Sequence, residues 1–279
     1  DWTEEIAGES IELSTLARPG QDVHTFEATP RQLAQLEEAD VVIELGLGME
    51  YWLDDLLAST DFSGKRITLT DALSHNLRHL DGVTCSGHHH ADHHHFHTDP
   101  HVWMDPVHVK AICLYLTHEL KQLNPEAKEL YEANYQRYAD QLDGLHEYLA
   151  EHLSELEADE RKIITYHHNL GYLADRYGLE VVGTIKGSYS TEGQDPSARH
   201  LAELIDLVER EQVSAVFAES TSSPRLAQQL SSETRLPEPP VLYIETFAPP
   251  ASDGPQDYLS MMRYTVDSIT TTLQAGRVE

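Results

Sequence analysis

The feature that most constrains the fold of this chain is a long helix-forming stretch near its middle. It starts at Asn124-Pro125 and runs to about Leu156, with Gly144 as its one glycine and no further proline. Apolar side chains recur along it at helical spacing, at Leu130, Tyr131, Tyr135, Tyr138, Leu142, Leu145, Leu149 and Leu153. At a rise of about 1.5 Å per residue the predicted helix is about 45–50 Å long. Because this exceeds the usual length of a globular helix, we expect it to bridge two parts of the fold.

Short apolar runs alternate with helical patterns on both sides of this helix. Strands are predicted at Ile11–Ala17, Val41–Leu45, Ile67–Thr70, Lys162–Tyr166, Glu180–Ile185, Ala215–Glu219 and Val241–Glu245. Helices are predicted at Trp2–Ala7, Pro30–Glu38, Met49–Ala58, Pro106–Leu123, Leu170–Tyr177, Ser197–Glu211, Pro224–Thr234 and Gln256–Ala275. Such alternation predicts parallel sheets with helices on both faces. The predicted fold class is α/β: two lobes, each with a mainly parallel sheet flanked by helices, joined by one long helix, with a cleft between them.

This pattern predicts three parts of the chain. They are an N-terminal α/β lobe at 1–123, a linking helix at 124–157 and a C-terminal α/β lobe at 158–279. A polar stretch without periodicity, about 71–100, belongs to the first lobe. No run reaches the roughly 18–20 apolar residues of a membrane-spanning helix. Asp1 stands within a predicted helix, which we interpret as a processed or trimmed start from which a signal peptide has been removed.

The chain is strongly acidic and rich in histidine. Asp and Glu number 48 against 19 Lys and Arg, the formal net charge is −29, and 18 of 279 residues are His. This charge disfavours binding to nucleic-acid phosphates and to anionic membranes, and it indicates cations as ligands. Cys85 and Cys113 provide neither a disulfide framework nor a CxxC pair, so a disulfide between them and two free thiols are both open.

Residue types that bind metals follow several of the predicted strands. In the first half these are His24 and His101, and in the second half His167 or His168 and, at the end of the last strand, Glu245. Ligands of open parallel sheets bind beyond the carboxyl ends of the strands, so we expect these side chains to meet in the cleft. Three imidazoles and one carboxylate would make a tetrahedral site suited to Zn²⁺.

A second concentration of histidine lies inside the chain, where residues 86–97 read SGHHHADHHHFH. A cloning tag would be terminal and uninterrupted, so we interpret this tract as native. Its composition favours Zn²⁺, Cu²⁺ or Ni²⁺ without choosing among them. We predict auxiliary metal binding by its seven histidines, His88, His89, His90, His93, His94, His95 and His97.

The segments around these candidates resemble motifs of the metal-specific solute-binding proteins of ABC importers, the zinc and manganese cluster. Residues 19–30, PGQDVHTFEATP, resemble PGxDPHxFEPTP; residues 99–106, DPHVWMDP, resemble DPHxWxDP; and residues 165–172, TYHHNLGY, resemble TxHxxFGY. Residues 215–220, AVFAES, are similar to the family's xxFxE strand. Glu245 stands where the family usually has an aspartate ligand, and Val23 and Ala28 replace family prolines.

This resemblance implies a periplasmic or otherwise extracytoplasmic protein that captures Zn²⁺ with high affinity and delivers it to an ABC permease. It implies His24, His101, His167 and Glu245 as the metal ligands, and a binding protein rather than an enzyme. It favours the zinc branch, because manganese members tend to carry a carboxylate where His167 stands. The expected partners are the permease and the metal ion, with a metallochaperone as a further candidate and no nucleic acid. We expect a monomer.

Other functions fit parts of the same pattern. A manganese or other divalent-metal binding protein, or a metal-dependent adhesin, would share the fold. A zinc hydrolase would need three protein ligands, a bound water and a nearby base, but neither HExxH nor GxSxG occurs in the chain. The fourth ligand is open among Glu245, water and a histidine of the tract. Glu27 or Glu219 could orient a ligating histidine, and Trp103 is expected to pack.

Overall fold

The computed structural model describes residues 1–73, 77–78, 98–187, 196–250 and 252–275. The helices of these ranges are α1 Trp2–Ala7, α2 Pro30–Glu38, α3 Leu53–Ala58, α4 Pro106–Leu123, α5 Lys128–Ser154, α6 Gly171–Tyr177, α7 Ala198–Glu211, α8 Arg225–Thr234 and α9 Tyr258–Ala275. The strands are β1 Val41–Glu44, β2 Lys65–Thr68, β3 Lys162–Thr165, β4 Glu180–Thr184, β5 Ala215–Val216, β6 Ala218–Glu219 and β7 Val241–Leu242. The histidine-rich tract and Cys85 lie outside the described residues.

The strands of the described ranges pair in parallel on both sides of α5 in the sequence. Before α5, β1 pairs with β2. After α5, one sheet has the order β4-β3-β5 and another consists of β6 and β7. Helices connect these strands, as parallel pairing requires. The predicted α/β class is therefore confirmed, while the boundaries proposed at 123/124 and 157/158 stay a prediction.

The long central helix forms as the apolar spacing predicts. A single 3₁₀ turn, Pro125–Ala127, leads into α5, whose 27 residues span about 40 Å. Its buried side chains lie on one stripe and include Tyr131, Leu142 and Leu149. This stripe packs against α1 and α4, which precede it in the chain, and against α9, which follows it. The helix is thus in contact with both halves of the sequence.

The strand predicted at Ile11–Ala17 is wrong. Residues 11–17 form no strand, although Ile11 has an extended backbone with φ −133° and ψ 157°. Residues 13–18 and the whole of β1 line the same cavity of about 710 Å³. Among the described residues the segment pairs with no strand, and the Leu16 carbonyl accepts the Gln32 side-chain N–H instead. A strand cannot form without a partner.

Other predicted elements differ in their bounds: β7, for example, ends at Leu242 and not at Glu245, and two differences have a visible cause. The run Ala215–Glu219 divides at Phe217 into β5 and β6, which belong to separate sheets, because the Phe217 N–H still donates to Ile164 O while the Ala218 N–H donates to Pro240 O. Helix α3 begins at Leu53 instead of Met49. Residues 49–52 instead form turns, in which the Leu53 N–H donates to Glu50 O, three residues back, at 2.9 Å, whereas the Leu56 N–H donates to Trp52 O, four residues back as in an α-helix.

Helix ends follow the caps that the sequence provides. Thr29 and Gln32 form a capping box in front of Pro30, and the side chain of Ser197 accepts the His200 N–H at the start of α7. Within the described ranges, none of the helices combines the length and the apolar character needed to cross a bilayer.

Candidate metal centre

Four side chains from distant parts of the chain meet at one point, and each stands in or next to a short turn or strand. His24 lies in the 3₁₀ turn Val23–Thr25, which begins as the Asp22 carboxylate accepts the His24 N–H at 2.8 Å. His101 directly precedes the 3₁₀ turn Val102–Met104. His167 follows β3, and Glu245 follows β7. Each half of the sequence therefore contributes two of the four side chains.

The three imidazoles converge on one carboxylate oxygen. The distances from Glu245 Oε1 to the Nε2 atoms are 3.3 Å for His24, 3.1 Å for His101 and 2.6 Å for His167. Each of the four residues offers one potential ligand atom, and these four atoms all lie within 4.8 Å of one another. In the part of the chain that the structure describes, this is the one group of three or more such residues.

The cluster is almost completely removed from solvent. His101 and His167 are fully buried, His24 is 5% exposed and the side chain of Glu245 is 1% exposed. The second oxygen of Glu245, Oε2, is buried and has no hydrogen-bond partner among the described residues. Burial of an unpaired carboxylate oxygen is costly, so this atom indicates that a further positively charged group belongs here.

Two carboxylates orient two of the imidazoles. Asp99 Oδ1 lies 2.7 Å from Nδ1 of His101, and Glu219 Oε2 lies 2.7 Å from Nδ1 of His167. An ionised carboxylate only accepts, so each ring carries a hydrogen on Nδ1, and Nε2 is the atom of each ring that can bind a metal once any proton there is displaced. Carboxylate–histidine pairs of this kind fix the tautomer that a metal ligand requires.

Charge in the cluster is balanced only when a cation or protons occupy its centre. Burial by itself would lower the pKa of His167, but Glu219 and Glu245 outweigh it and raise that pKa to about 10. The pKa of His101 is also raised, because Asp99 and Glu245 overcome its burial. Burial opposes ionisation of Glu245, yet His167 and His101 hold its pKa well below the usual range. Three nitrogen donors and one carboxylate fit a tetrahedral divalent cation.

The structure brings His24, His101, His167 and Glu245 together, as the sequence predicts for a metal site. His168 does not join them: its Nε2 lies 3.3 Å from Thr184 Oγ1. Burial and the neighbouring His167 lower the pKa of His168 to about 4. The imidazole next in sequence is therefore a neighbour of the cluster and not a member.

Only some of the residues predicted to surround the cluster contact it. Of the two carboxylates considered as orienting groups, Glu219 contacts His167, whereas Glu27 is exposed and has no contact with the cluster in the described structure. Asp99 was not predicted as an orienting group, although its place two residues before His101 is the signal that identifies it. Trp103 packs as predicted: its ring lies 5.2 Å from that of His101, and its Nε1–H donates to Ile244 O at 2.8 Å.

Further bonds join the His101 segment to the second half of the chain. The Tyr172 hydroxyl donates to Asp99 O at 2.9 Å. The Arg176 guanidinium donates twice to Asp105 Oδ2, at 2.9 and 2.5 Å. Since these two partners both lie on α6, which closely follows His167, the helix fixes His101 relative to His167.

Comparison with known proteins decides the family. The family described as ZnuA, zinc-uptake complex component A periplasmic, matches residues 1–272. The chain belongs to the ZnuA family. The family is a component of zinc uptake and not an enzyme, and the relatives and solved structures are named as metal-binding proteins.

Relatives of this ZnuA-family chain carry names for different metals. The zinc-binding lipoprotein AdcA of Streptococcus pneumoniae serotype 4 is 28% identical over 281 aligned positions, which cover 99% of this chain and 54% of that protein. The iron-binding protein YfeA of Yersinia pestis is 27% identical, covering 96% and 81%. The manganese-binding lipoprotein MntA of Halalkalibacterium halodurans is 26% identical, covering 98% and 85%. The chain spans about half the length of AdcA.

Solved structures share the fold. The periplasmic zinc-binding protein TroA of Treponema pallidum superimposes with a TM-score of 0.83 at 24% identity, covering 98% of this chain and 95% of TroA. A manganese-bound mutant of a periplasmic metal-binding protein of Candidatus Liberibacter asiaticus gives a TM-score of 0.84 at 23% identity, with the same coverage. At these identities the likeness establishes the fold alone.

Proposed function

We propose that this chain is the zinc-binding component of a metal ABC importer. In this role His24, His101, His167 and Glu245 bind one Zn²⁺ ion outside the cytoplasmic membrane, and the loaded protein delivers it to a permease. The observation that carries the proposal is the convergence of three buried Nε2 atoms on one carboxylate oxygen, at 2.6–3.3 Å. The periplasmic description of the family supports the location.

The ligand chemistry favours zinc over manganese. Relatives named for zinc, iron and manganese are similarly distant from this chain, so membership of the family does not select the metal. Three imidazoles with one carboxylate suit Zn²⁺, whereas Mn²⁺ prefers sites richer in oxygen ligands. His167 is the residue on which this distinction depends.

The complete set of four protein ligands favours capture of the metal over zinc-dependent hydrolysis of a substrate. A catalytic zinc site keeps a coordination position for water and places a base beside it. Here four protein donors already surround the centre, and the other nearby carboxylates, Asp99 and Glu219, are each bound to a histidine Nδ1. Such an arrangement suits a protein that holds and hands over its metal.

Competition between Zn²⁺ and Mn²⁺ on the purified chain tests the proposal. We expect one tight site per chain that prefers Zn²⁺ by at least about a thousandfold, in keeping with the intrinsic order of metal affinities and the nitrogen-rich site. The titration uses a chromophoric chelator and each metal alone, then both together. Equal affinities for the two metals would reject zinc specificity, and the absence of a tight site would reject the function.

The orienting carboxylate Glu219 provides a separate prediction. Replacing it with glutamine should lower Zn²⁺ affinity about 10–100-fold, because the His167 ring loses the charged partner that fixes its tautomer. The measurement is the same chelator competition. Glu203→Gln is the matched control, since Glu203 is an exposed residue of α7 that pairs with Arg199. Wild-type affinity in Glu219→Gln would show that this carboxylate does not support the ligand.

A further inference from the structure

The loop that leads to His24 contains a turn whose geometry follows from its sequence. The Gln21 N–H donates to Arg18 O at 3.0 Å, which closes a four-residue turn. Pro19 and Gly20 occupy its central positions, and Gly20 has φ +86°, as a type II turn requires. Because the turn uses the N–H of Gln21, the N–H of Gly20 is available to another acceptor.

That acceptor is a side chain from the opposite end of the chain. Thr246 Oγ1 accepts the Gly20 N–H at 2.6 Å, and its hydroxyl lies 3.2 Å from Phe247 O, to which it donates. Both hydrogen-bonding functions of this hydroxyl are therefore used. Thr246 is buried and directly follows Glu245.

The hydrogen bond between Gly20 and Thr246 joins the two segments that carry His24 and Glu245, two of the four proposed ligands. The side chains of His24 and Glu245 meet at 3.3 Å, while the segments that carry them are joined through Gly20 and Thr246. His24 and Glu245 are thus connected twice, once through their side chains and once through the loop.

His24 depends on such a connection more than the other imidazoles do. His101 and His167 are held at Nδ1 by Asp99 and Glu219, but within the described residues no carboxylate contacts Nδ1 of His24. The position of its ring therefore depends on its backbone. That backbone is held by the Asp22 side chain, by the Trp52 Nε1–H donated to Val23 O at 2.8 Å, and by the bond to Thr246.

We propose that Thr246 is a positioning residue of the metal site, which ties the His24 loop to the Glu245 segment so that these two ligands reach the metal as one unit. The inference rests on the proposed function, since it concerns two ligands of that site. Loss of the hydroxyl loosens His24 and leaves His101 and His167 in place. Its main effect is faster dissociation of Zn²⁺, because His24 then leaves the metal more often.

The test compares Thr246→Val, which removes the hydroxyl at nearly constant shape, with Thr246→Ser, which retains it. We expect Thr246→Val to raise the Zn²⁺ dissociation rate about 3–10-fold, the loss that corresponds to one hydrogen bond, and Thr246→Ser to stay within about twofold of wild type. Stopped-flow mixing of the zinc-loaded full chain with excess chelator gives the rate. Thermal unfolding shows whether each variant is folded. If Thr246→Val does not fold, Thr246→Ala is used in its place.

A double-mutant cycle with His24→Ala separates positioning from a general structural role. If Thr246 acts through His24, Thr246→Val has no further effect in the His24→Ala background. An equal acceleration in both backgrounds, or none in the wild-type background, would overturn the proposal. Failure of the proposed function is seen separately: wild type would then lack tight Zn²⁺ binding, or His24→Ala alone would leave it unchanged, and the positioning role would fall with it.

Discussion

Replacing His167 with alanine is expected to lower the affinity for Zn²⁺ by about a thousandfold or more. Loss of a residue that only orients a ligand costs about 10–100-fold, and His167 is proposed to bind the metal itself. Its Nε2 makes the shortest of the three contacts with Glu245, at 2.6 Å. Competition with a chelator of known zinc affinity measures the loss.

The metal-free form of this variant is also expected to lose stability. Removing the imidazole leaves Glu219 and Glu245 buried without their shared partner, and breaking a buried ion pair in this way costs about 3–5 kcal/mol. Thermal unfolding with and without Zn²⁺ therefore has to accompany the titration. The change in affinity is interpreted only under conditions in which the variant is folded.

His168→Ala is the matched control for His167→Ala. The two histidines are adjacent, but His168 directs its Nε2 to Thr184 and not to Glu245. We expect His168→Ala to keep the wild-type affinity for Zn²⁺. Loss of tight binding in His168→Ala together with its retention in His167→Ala would reverse the assignment of the third ligand.

Much of the site could be predicted from the sequence because its residues follow recognisable elements. His24, His101, His167 and Glu245 each stand after a strand or within a family motif, and parallel topology places such residues at one edge. The choice between His167 and His168 could not be made from topology, since neighbouring side chains point in different directions and only the backbone decides which one faces the centre.

Features that depend on long-range partners could not be predicted. The apolar residues of Ile11–Ala17 have strand character, but a strand also needs a neighbour, and this segment borders a cavity. The run Ala215–Glu219 is uniformly suited to a strand, and nothing local indicates that its hydrogen bonds change sheet at Phe217. The bond between Gly20 and Thr246 joins residues 226 positions apart, so no pattern of spacing reports it.

Acidification is expected to release the metal, with Zn²⁺ affinity falling at least about tenfold per pH unit between pH 7 and pH 5. In the metal-free protein the pKa of His167 is raised to about 10, so this imidazole holds an additional proton at neutral pH, and the pKa of His101 is raised in the same direction. Zn²⁺ has to displace the proton from His167 Nε2, while the Nδ1 hydrogen stays with Glu219. Lower pH therefore favours the protonated, metal-free state.

The slope of the logarithm of the Zn²⁺ affinity against pH counts the protons that the metal displaces. It therefore distinguishes displacement of imidazole protons from loss of the negative charge on Glu245. Glu245, whose pKa is well below its usual range, stays ionised throughout and contributes no proton, so the proton on His167 predicts a slope of at least about one. Chelator competition at pH 5, 6 and 7 gives the slope, and calorimetry in buffers of different ionisation enthalpy counts the protons released at pH 7. His167→Ala should reduce both values by about one, because the proton displaced from His167 is then absent. A slope near zero in the wild-type protein would mean that the imidazoles are unprotonated before the metal arrives, and that the carboxylates around them do not raise their pKa.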